Sequence, residues 1–194
     1  MSSFMIRVRN ILSQITLTYR EMSVFFFKKD FKTRNFGNVV ISSASFREIN
    51  EIEKIYFRLN KKKFKFFQRL SLYFNSRKRL LIARSTDTPS CIVALNFYYL
   101  NQRDLFEKTV HEGFIGVLEK YQGQGIASKL RKLAVDHFSS NGFDGISTRI
   151  SETNLGSLKS ARNLGFEIEE RYFDQKLAEI RFYMVCRFRK SREK

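Results

Sequence analysis

The stretch EKYQGQGIASKL, residues 119–130, places two glycines two positions apart directly before a predicted helix. Glycine lets the backbone approach a ligand closely, and the first N–H groups of a helix have no acceptor within that helix. Such a turn can hold an anion, and a pyrophosphate in particular, with main-chain donors. The segment lacks the Gly-Lys-Ser/Thr of a Walker loop and the third glycine of a dinucleotide fingerprint. A tight turn without a ligand is the structural alternative, and the flanking sequence decides between the two.

The segments that follow and precede the glycines predict strands and helices in alternation. Residues 109–118, TVHEGFIGVL, form a strand pattern directly before them. After them, apolar residues at helical spacing lead into a predicted strand at 144–151 and a short helix at 154–164. Two further strand patterns, at 165–173 and 180–189, close the chain. The glycine turn therefore lies between a strand and a helix, where its N–H groups can converge on one point.

The preceding part of the chain supplies the other elements. Residues 38–45, NVVISSAS, predict a strand whose Ser45 can cap the next helix, and residues 59–79 predict a second helix. The apolar runs 80–85 and 90–100 flank the turn-rich TDTPS and predict paired strands. From residue 38 the order is β-α-α-β-β-β-α-β-α-β-β. This order predicts an α/β fold with a mixed sheet and helices on its faces.

The composition narrows the classes of partner. The net charge of +17 favours an anionic partner such as a phosphate-rich cofactor, a membrane surface or nucleic acid. Nucleic acid is disfavoured because no recognition motif accompanies the charge. Cys91 and Cys186 are far apart and His111 and His137 are the two histidines, so we expect no metal and no disulfide framework. A reducing, cytoplasmic compartment is the expected location.

Residues 1–37 differ in character from the rest of the chain. Five apolar residues recur there at helical spacing between arginines and polar residues, namely Phe4, Val8, Ile11, Leu12 and Ile15. We predict an amphipathic helix, followed by a short strand within SVFFFKKDF, residues 23–31. Such a helix can lie on the inner face of an anionic membrane, pack on its own domain or contact a second subunit. The basic residues 190–194 are interpreted as a solvated tail.

The stretch QGQGIA, residues 122–127, resembles the Gln/Arg-x-x-Gly-x-Gly/Ala signature of the GNAT superfamily of N-acetyltransferases. The strand FIGVL before it and the later Asn154 and Leu-Gly-Phe turn at 164–166 are similar to the family in type and spacing. The likeness implies a GNAT domain at 38–189 with a mostly antiparallel sheet of about six to seven strands. It does not extend to residues 1–37.

The resemblance implies acetyl-CoA, or a related acyl-CoA, as cofactor. The backbone of the signature would hold the pyrophosphate, and the preceding strand would pair with the pantetheine arm and polarise the thioester carbonyl. Asn154 would help to hold that arm. The residues implied in cofactor binding are Ile115, Gly116, Val117, Gln122, Gly123, Gln124, Gly125, Ile126, Ala127, Ser128 and Asn154.

Proton transfer is where this sequence departs from the family. The position at which family members often carry a tyrosine acid is Ala161 here. Counting back along the strand from Val117 puts His111 on the face of Ile115 and Val117, and Glu112 on the opposite face. We therefore expect His111 as the candidate base, with Glu112 as the weaker one and a local structural role as the alternative for both.

The resemblance implies a primary amine as acceptor. The segment 61–84 carries nine basic residues and no acidic one, which favours an anionic small molecule such as an amino sugar of surface-polysaccharide biosynthesis. Tyr98, Tyr99 and Tyr172 are candidates for lining its cleft. Two alternatives stay open: acetylation of a protein N-terminus or lysine, and a GNAT-like domain that binds acyl-CoA without turnover.

Overall fold

The computed structural model describes residues 3–89 and 91–188. Its centre is one sheet of eight strands in the order β1-β2-β3-β4-β5-β6-β8-β7. The strands are β1 (Arg34–Asn35), β2 (Val39–Ser43), β3 (Leu80–Ser85), β4 (Ile92–Tyr99), β5 (Thr109–Val117), β6 (Gly145–Ser151), β7 (Glu167–Asp174) and β8 (Glu179–Arg187). Neighbouring strands are antiparallel except β5 and β6, which are parallel. The predicted mixed, mostly antiparallel sheet is confirmed, and the two-residue β1 brings the strand count to eight.

Six α-helices accompany the sheet in the part of the chain that the structure describes. They are α1 (Ser3–Phe26), α2 (Ile49–Asn60), α3 (Phe66–Arg79), α4 (Gln102–Glu107), α5 (Ile126–Ser140) and α6 (Leu155–Arg162). One apolar cluster joins Phe138 of α5 and Leu158 of α6 to one face of the sheet. A second cluster joins Ile52 of α2 and Leu72 of α3 to the opposite face. Each face therefore has its own core, which is why the strands carry long apolar runs rather than a simple alternation.

The two parallel strands separate partway along their length. β5 and β6 pair from Thr109↔Gly145 to Glu112↔Thr148, and the pairing stops there. At the same point β5 is irregular against β4, because Tyr98 pairs with Glu112 and Phe97 with Phe114. Gly113 is the extra residue of this bulge, and a Cβ there would lie 2.5 Å from the Tyr99 ring. Beyond the bulge a gap opens between β5 and β6.

Two local predictions are corrected. No strand forms in residues 23–31, because α1 continues to Phe26 and residues 27–33 have no regular secondary structure. Phe25 is fully buried in the core cluster that contains Phe138, so the run of phenylalanines ends a helix instead of building a strand. The helix α4 was not predicted, although Asn101 and Asp104 form the capping box that starts it. The predicted tail at 190–194 lies outside the described residues.

Candidate active site

The glycine turn faces the gap, and the backbone conformation of its two glycines keeps it open. Gly125 is the N-cap of α5 and has φ 72° and ψ 10°, and Gly123 has φ 76°. L-residues with a side chain avoid this left-handed region, so both positions favour glycine. A Cβ built at either one meets no atom within 4 Å, which shows that the turn borders open space.

The first turn of α5 has the features of a helix start that can bind an anion. Gly125 supplies no side-chain cap, and the first turn contains no acidic residue. The N–H groups at this end and the helix dipole therefore present positive potential to the open side of the turn. Two contacts fix the surroundings: Gln122 Nε2 donates to Val117 O at 3.1 Å, and Ser128 Oγ lies 3.0 Å from Ser160 Oγ.

The strand before the turn has a main-chain edge that pairs with no other described strand, although Val117 O accepts the hydrogen bond from Gln122. Residues Phe114–Val117 pair with β4 on one side, and their other side faces the gap left by β6. Leu118 N donates to Val93 O across β4, so the alternation of an antiparallel pair directs the main-chain groups of Ile115 and Val117 toward the gap. An extended ligand chain can pair there as another strand would.

A groove of about 760 Å³ joins these parts. Ten of the eleven predicted cofactor residues line it: Ile115, Gly116, Val117, Gln122, Gly123, Gly125, Ile126, Ala127, Ser128 and Asn154. The exception is Gln124, whose Oε1 accepts a 2.7 Å hydrogen bond from Asn38 Nδ2. The α6 residues Gly156, Ser157, Lys159 and Ser160 also line the groove and were missed by the sequence analysis. The sequence feature that could have identified them is the run of small or basic side chains after Asn154.

A second cavity of about 490 Å³ lies on the other side of the gap. It shares five lining residues with the groove, namely Phe114, Ile115, Arg131, Asn154 and Ser157. The two cavities therefore meet between β5 and β6. The outer part of the second cavity is polar and aromatic, with Tyr56, Asn60, Lys62, Arg149, Glu179 and Arg181. We refer to it as the acceptor-side cavity.

A buried ion pair lies at the wall between the two cavities: Arg131 lines both of them, and Glu112 lines the acceptor-side cavity. Arg131 Nη2 lies 2.7 Å from Glu112 Oε1, and both side chains are almost completely buried. The Glu112 carboxylate also accepts from Asn96 Nδ2 at 3.1 Å and from Thr148 Oγ1 at 3.3 Å. Arg131 in turn donates to Ser157 O and Oγ, which ties α5 to the start of α6. This network fixes the carboxylate as an acceptor of several hydrogen bonds.

The predicted orientation of His111 and Glu112 is wrong. Glu112 points toward Arg131 of α5, on the side of the sheet where Ile115 packs, whereas His111 packs against Tyr99 on the other side. The bulge at Gly113 adds one residue to β5, so the alternation counted from Val117 reverses before it.

His111 lines neither cavity. Its Nδ1 lies 2.7 Å from Ser147 Oγ, and its ring lies between Tyr99 and Tyr183. Burial lowers the pKa of His111 to about 3, and the charges of Arg149 and Arg181 add to the effect. The imidazole is therefore neutral near pH 7 and enclosed, which argues against a role in proton transfer.

The three predicted tyrosines have different surroundings. Tyr98 is fully buried and its hydroxyl accepts from Asn96 Nδ2 at 2.6 Å, so it is a core residue. Tyr99 packs on His111, and burial raises its pKa to about 12. Tyr172 lines a third cavity of about 420 Å³, which it shares with Arg149 and Tyr183. Of the three predicted tyrosines, Tyr172 is thus the one that lines one of these three cavities.

Ala161 lies on the buried face of α6, is fully buried in the core and offers no hydroxyl to either cavity. The hydroxyls of the α6 side of the groove belong to Ser157 and Ser160. No group of three His, Cys, Asp or Glu residues that could hold a metal ion occurs among residues 3–89 and 91–188.

The separation of β5 and β6 beside the uncapped helix start at Gly125 matches what the resemblance to N-acetyltransferases implies. A sequence model of the acetyltransferase (GNAT) family matches residues 44–166, and the chain belongs to that family. A comparison with curated protein sequences finds no match.

Solved structures share the fold at low identity. A chain from the NatC complex bound to Gag peptide and CoA aligns with TM-score 0.70 and 19% identity, over 79% of this chain and 100% of its own. The ribosomal-protein-S5-alanine acetyltransferase of Vibrio fischeri gives 0.66 and 15%, over 84% and 100%. The yncA acetyltransferase of Salmonella typhimurium, solved with acetyl-CoA, gives 0.64 and 16%, over 81% and 98%.

Proposed function

We propose that the protein transfers the acetyl group of acetyl-CoA to a primary amine. The observation that carries this proposal is the meeting of two cavities at the gap between β5 and β6. One cavity is bounded by the glycine turn and the other by polar and aromatic side chains. A thioester that enters from the groove and an amine that enters from the acceptor-side cavity would reach each other at this gap.

The residues of the groove fit coenzyme A. The open turn at Gly123 and Gly125 and the uncapped start of α5 suit a pyrophosphate. The edge of β5 at Ile115 and Val117 suits the amide-containing pantetheine arm. Asn154 lies beside this edge, and its Oδ1 accepts a hydrogen bond from Ser157 N. Structural neighbours solved with CoA or acetyl-CoA support the assignment.

The chain contributes positioning and polarisation to the reaction. Acetyl-CoA supplies an activated acetyl group; a C–N bond to the amine forms, the C–S bond breaks, and the amine proton leaves with the thiol product. A main-chain N–H at Ile115 or Val117, held in the groove, would stabilise charge on the carbonyl oxygen. Glu112 and Arg131 would keep the wall in place. The geometry of this wall, rather than a tyrosine acid, would then set the approach of the two reactants.

We further propose that the acceptor is a small molecule with an anionic group, of which an amino sugar linked to phosphate is an example. Arg149 lines both the acceptor-side cavity and the third cavity, and no ion pair holds it among the described residues. Lys62 adds a second cation. The segment 61–84 contributes less than its sequence predicted, because Arg69, Arg79 and Arg84 are paired with glutamates elsewhere.

A peptide amine is the second candidate. It is favoured by structural neighbours that act on protein N-termini, including the NatC chain with its Gag peptide and the S5-alanine enzyme. Those neighbours are less than 20% identical to this chain, so their acceptors only suggest a candidate acceptor for it. Arg149, a cation that lines the acceptor-side cavity, favours the anionic small molecule over an uncharged peptide end.

An acceptor panel tests both proposals. Thiol release from acetyl-CoA is measured with a sugar nucleotide that carries a free amine, the same amino sugar without the nucleotide, and peptides with free N-termini. We expect the sugar nucleotide to react with the lowest KM. Arg149→Met should raise that KM about fivefold and leave the KM of the free sugar unchanged, because the contact is a partly solvated charge pair. Arg171→Met, which removes an exposed arginine paired with Glu152, is the matched control.

Three results would contradict the proposal. Preferred turnover of peptides would support the protein-acetylating alternative. Equal KM values for charged and uncharged sugars would remove the anionic acceptor. Calorimetric binding of CoA with no thiol release from any amine would support a binding domain without turnover.

A further inference from the structure

The helix α1 is anchored to the domain at its C-terminal end. Glu21 is buried against Arg79 with an N–O distance of 2.7 Å, and it also accepts from Ser71 Oγ and from Leu100 N. Phe25, four residues later, is fully buried in the core. The side of α1 that contacts the domain is therefore the one that carries Glu21 and Phe25, and this end of the helix has a fixed orientation.

The apolar stripe of α1 lies on a different side and faces solvent. Its residues follow helical spacing and are 38 to 72% exposed: Val8, Ile11, Leu12, Ile15 and Tyr19. Phe26, at 68% exposure, continues the same stripe to the end of the helix, and Phe27 beyond it is 86% exposed. Neither the domain core nor α3 covers these side chains. An apolar stripe of this length on a monomer surface indicates a binding surface.

The sequence that carries the stripe is positively charged. Its first 20 residues contain three arginines and no acidic residue, Arg9 and Arg20 are exposed on α1, and the whole chain carries +17. At the other end, Lys78 Nζ lies 5.7 Å from the Phe26 ring and its ammonium donates to Phe26 O at 2.5 Å. Apolar side chains between cations are the pattern of a helix that lies in the headgroup region of an anionic bilayer.

We propose that α1 binds the surface of an anionic membrane through this stripe. No helix among residues 3–89 and 91–188 is long and apolar enough to cross a bilayer, so the helix would lie in the plane of the interface. A second copy of the chain is the competing occupant. Pairing two such helices would bring arginines together without acidic partners in their first 20 residues, which disfavours that alternative.

Vesicle co-sedimentation of the full chain tests the proposal. We expect binding to vesicles of phosphatidylcholine that contain about 30% phosphatidylglycerol, and much weaker binding to vesicles of phosphatidylcholine alone. The double variant Leu12→Gln/Ile15→Gln should lower the affinity for anionic vesicles by about tenfold, because it removes apolar contact without changing charge. The matched control is Ser13→Ala/Gln14→Ala, which changes exposed residues on the same turns but outside the stripe. Circular dichroism and CoA binding verify that each variant is folded.

Equal sedimentation of the two double variants, or no sedimentation of the natural chain with anionic vesicles at low salt, would overturn the proposal. Analytical ultracentrifugation of the same proteins addresses the competing occupant. A dimer that the stripe variant dissociates, together with no vesicle binding, would assign the stripe to a second copy. The acetyl-transfer assay does not depend on vesicle binding, so the membrane proposal and the proposed function can fail separately.

Discussion

The groove and the acceptor-side cavity meet at one gap, yet different features of the chain bound them. Three backbone features bound the groove, together with side chains of α6: the turn at Gly123 and Gly125, the start of α5 and the edge of β5. The acceptor-side cavity consists of side chains from distant segments, among them Tyr56 and Arg149. The difference implies that backbone changes should disturb the groove, that side-chain changes should alter the acceptor, and that the shared wall should affect both.

The shared wall is expected to give the largest effect. Glu112→Gln removes the charge that compensates Arg131, and both side chains are almost completely buried. An uncompensated buried charge typically lowers the free energy of unfolding by about 3–5 kcal/mol. Urea denaturation monitored by circular dichroism measures the change.

The control for the wall is Glu152→Gln, which breaks an exposed ion pair with Arg171 and should leave stability unchanged. If Glu112→Gln were as stable as the control, the network would not hold the wall. A loss of turnover in a variant of unchanged stability would instead assign Glu112 a part in proton transfer.

The next effect isolates the main-chain side. Gly125→Leu should weaken CoA binding by about a hundredfold, because a side chain at this positive φ occupies the open side of the turn and strains the helix start. Isothermal titration calorimetry measures the affinity. Gly142→Leu is the matched control, since Gly142 also has positive φ, 78°, and also has no atom within 4 Å of a built Cβ, but lies at the other end of α5.

The control separates backbone strain from ligand contact. Both variants should lose similar stability, and only the Gly125 variant should lose affinity. Equal CoA binding by the two would mean that the turn does not contact the pyrophosphate, and the main-chain side of the comparison would fail.

The same contrast explains what the sequence could predict. The glycine turn is encoded by contiguous residues, so its position between β5 and α5 and most of its lining could be predicted. The orientation of His111 could not, because it depends on the bulge at Gly113, where the rings of Tyr99 and Phe97 on the neighbouring strand leave no room for a Cβ. The anchoring of α1 likewise involves Arg79, which pairs with Glu21 across 58 positions of sequence. Side-chain sites assembled from distant segments carry no local pattern.

The smallest expected effect concerns His111, which the sequence assigned to the chemistry and the structure places in the packing. Its folded pKa of about 3 lies below the unfolded value of about 6.5. Above pH 6.5 neither state binds the proton and the stability is complete; as the pH falls through about 6.5 toward 3, the unfolded state takes up the proton and stability is lost. Between pH 7.5 and 5.5 the natural chain should lose about 1.4 kcal/mol that His111→Gln does not lose.

Denaturation at the two pH values measures this difference, and His137→Gln is the control. His137 has a lowered pKa of about 4 for the same reason, burial, and lies on α5 away from the cavities, so its variant should show a similar gain in acid tolerance. Neither variant should change the pH dependence of kcat, because neither ring borders the gap. If an inflection of kcat near neutral pH disappeared in His111→Gln and persisted in His137→Gln, His111 would belong to the acceptor side after all, and the division between a main-chain groove and a side-chain cavity would have to include it.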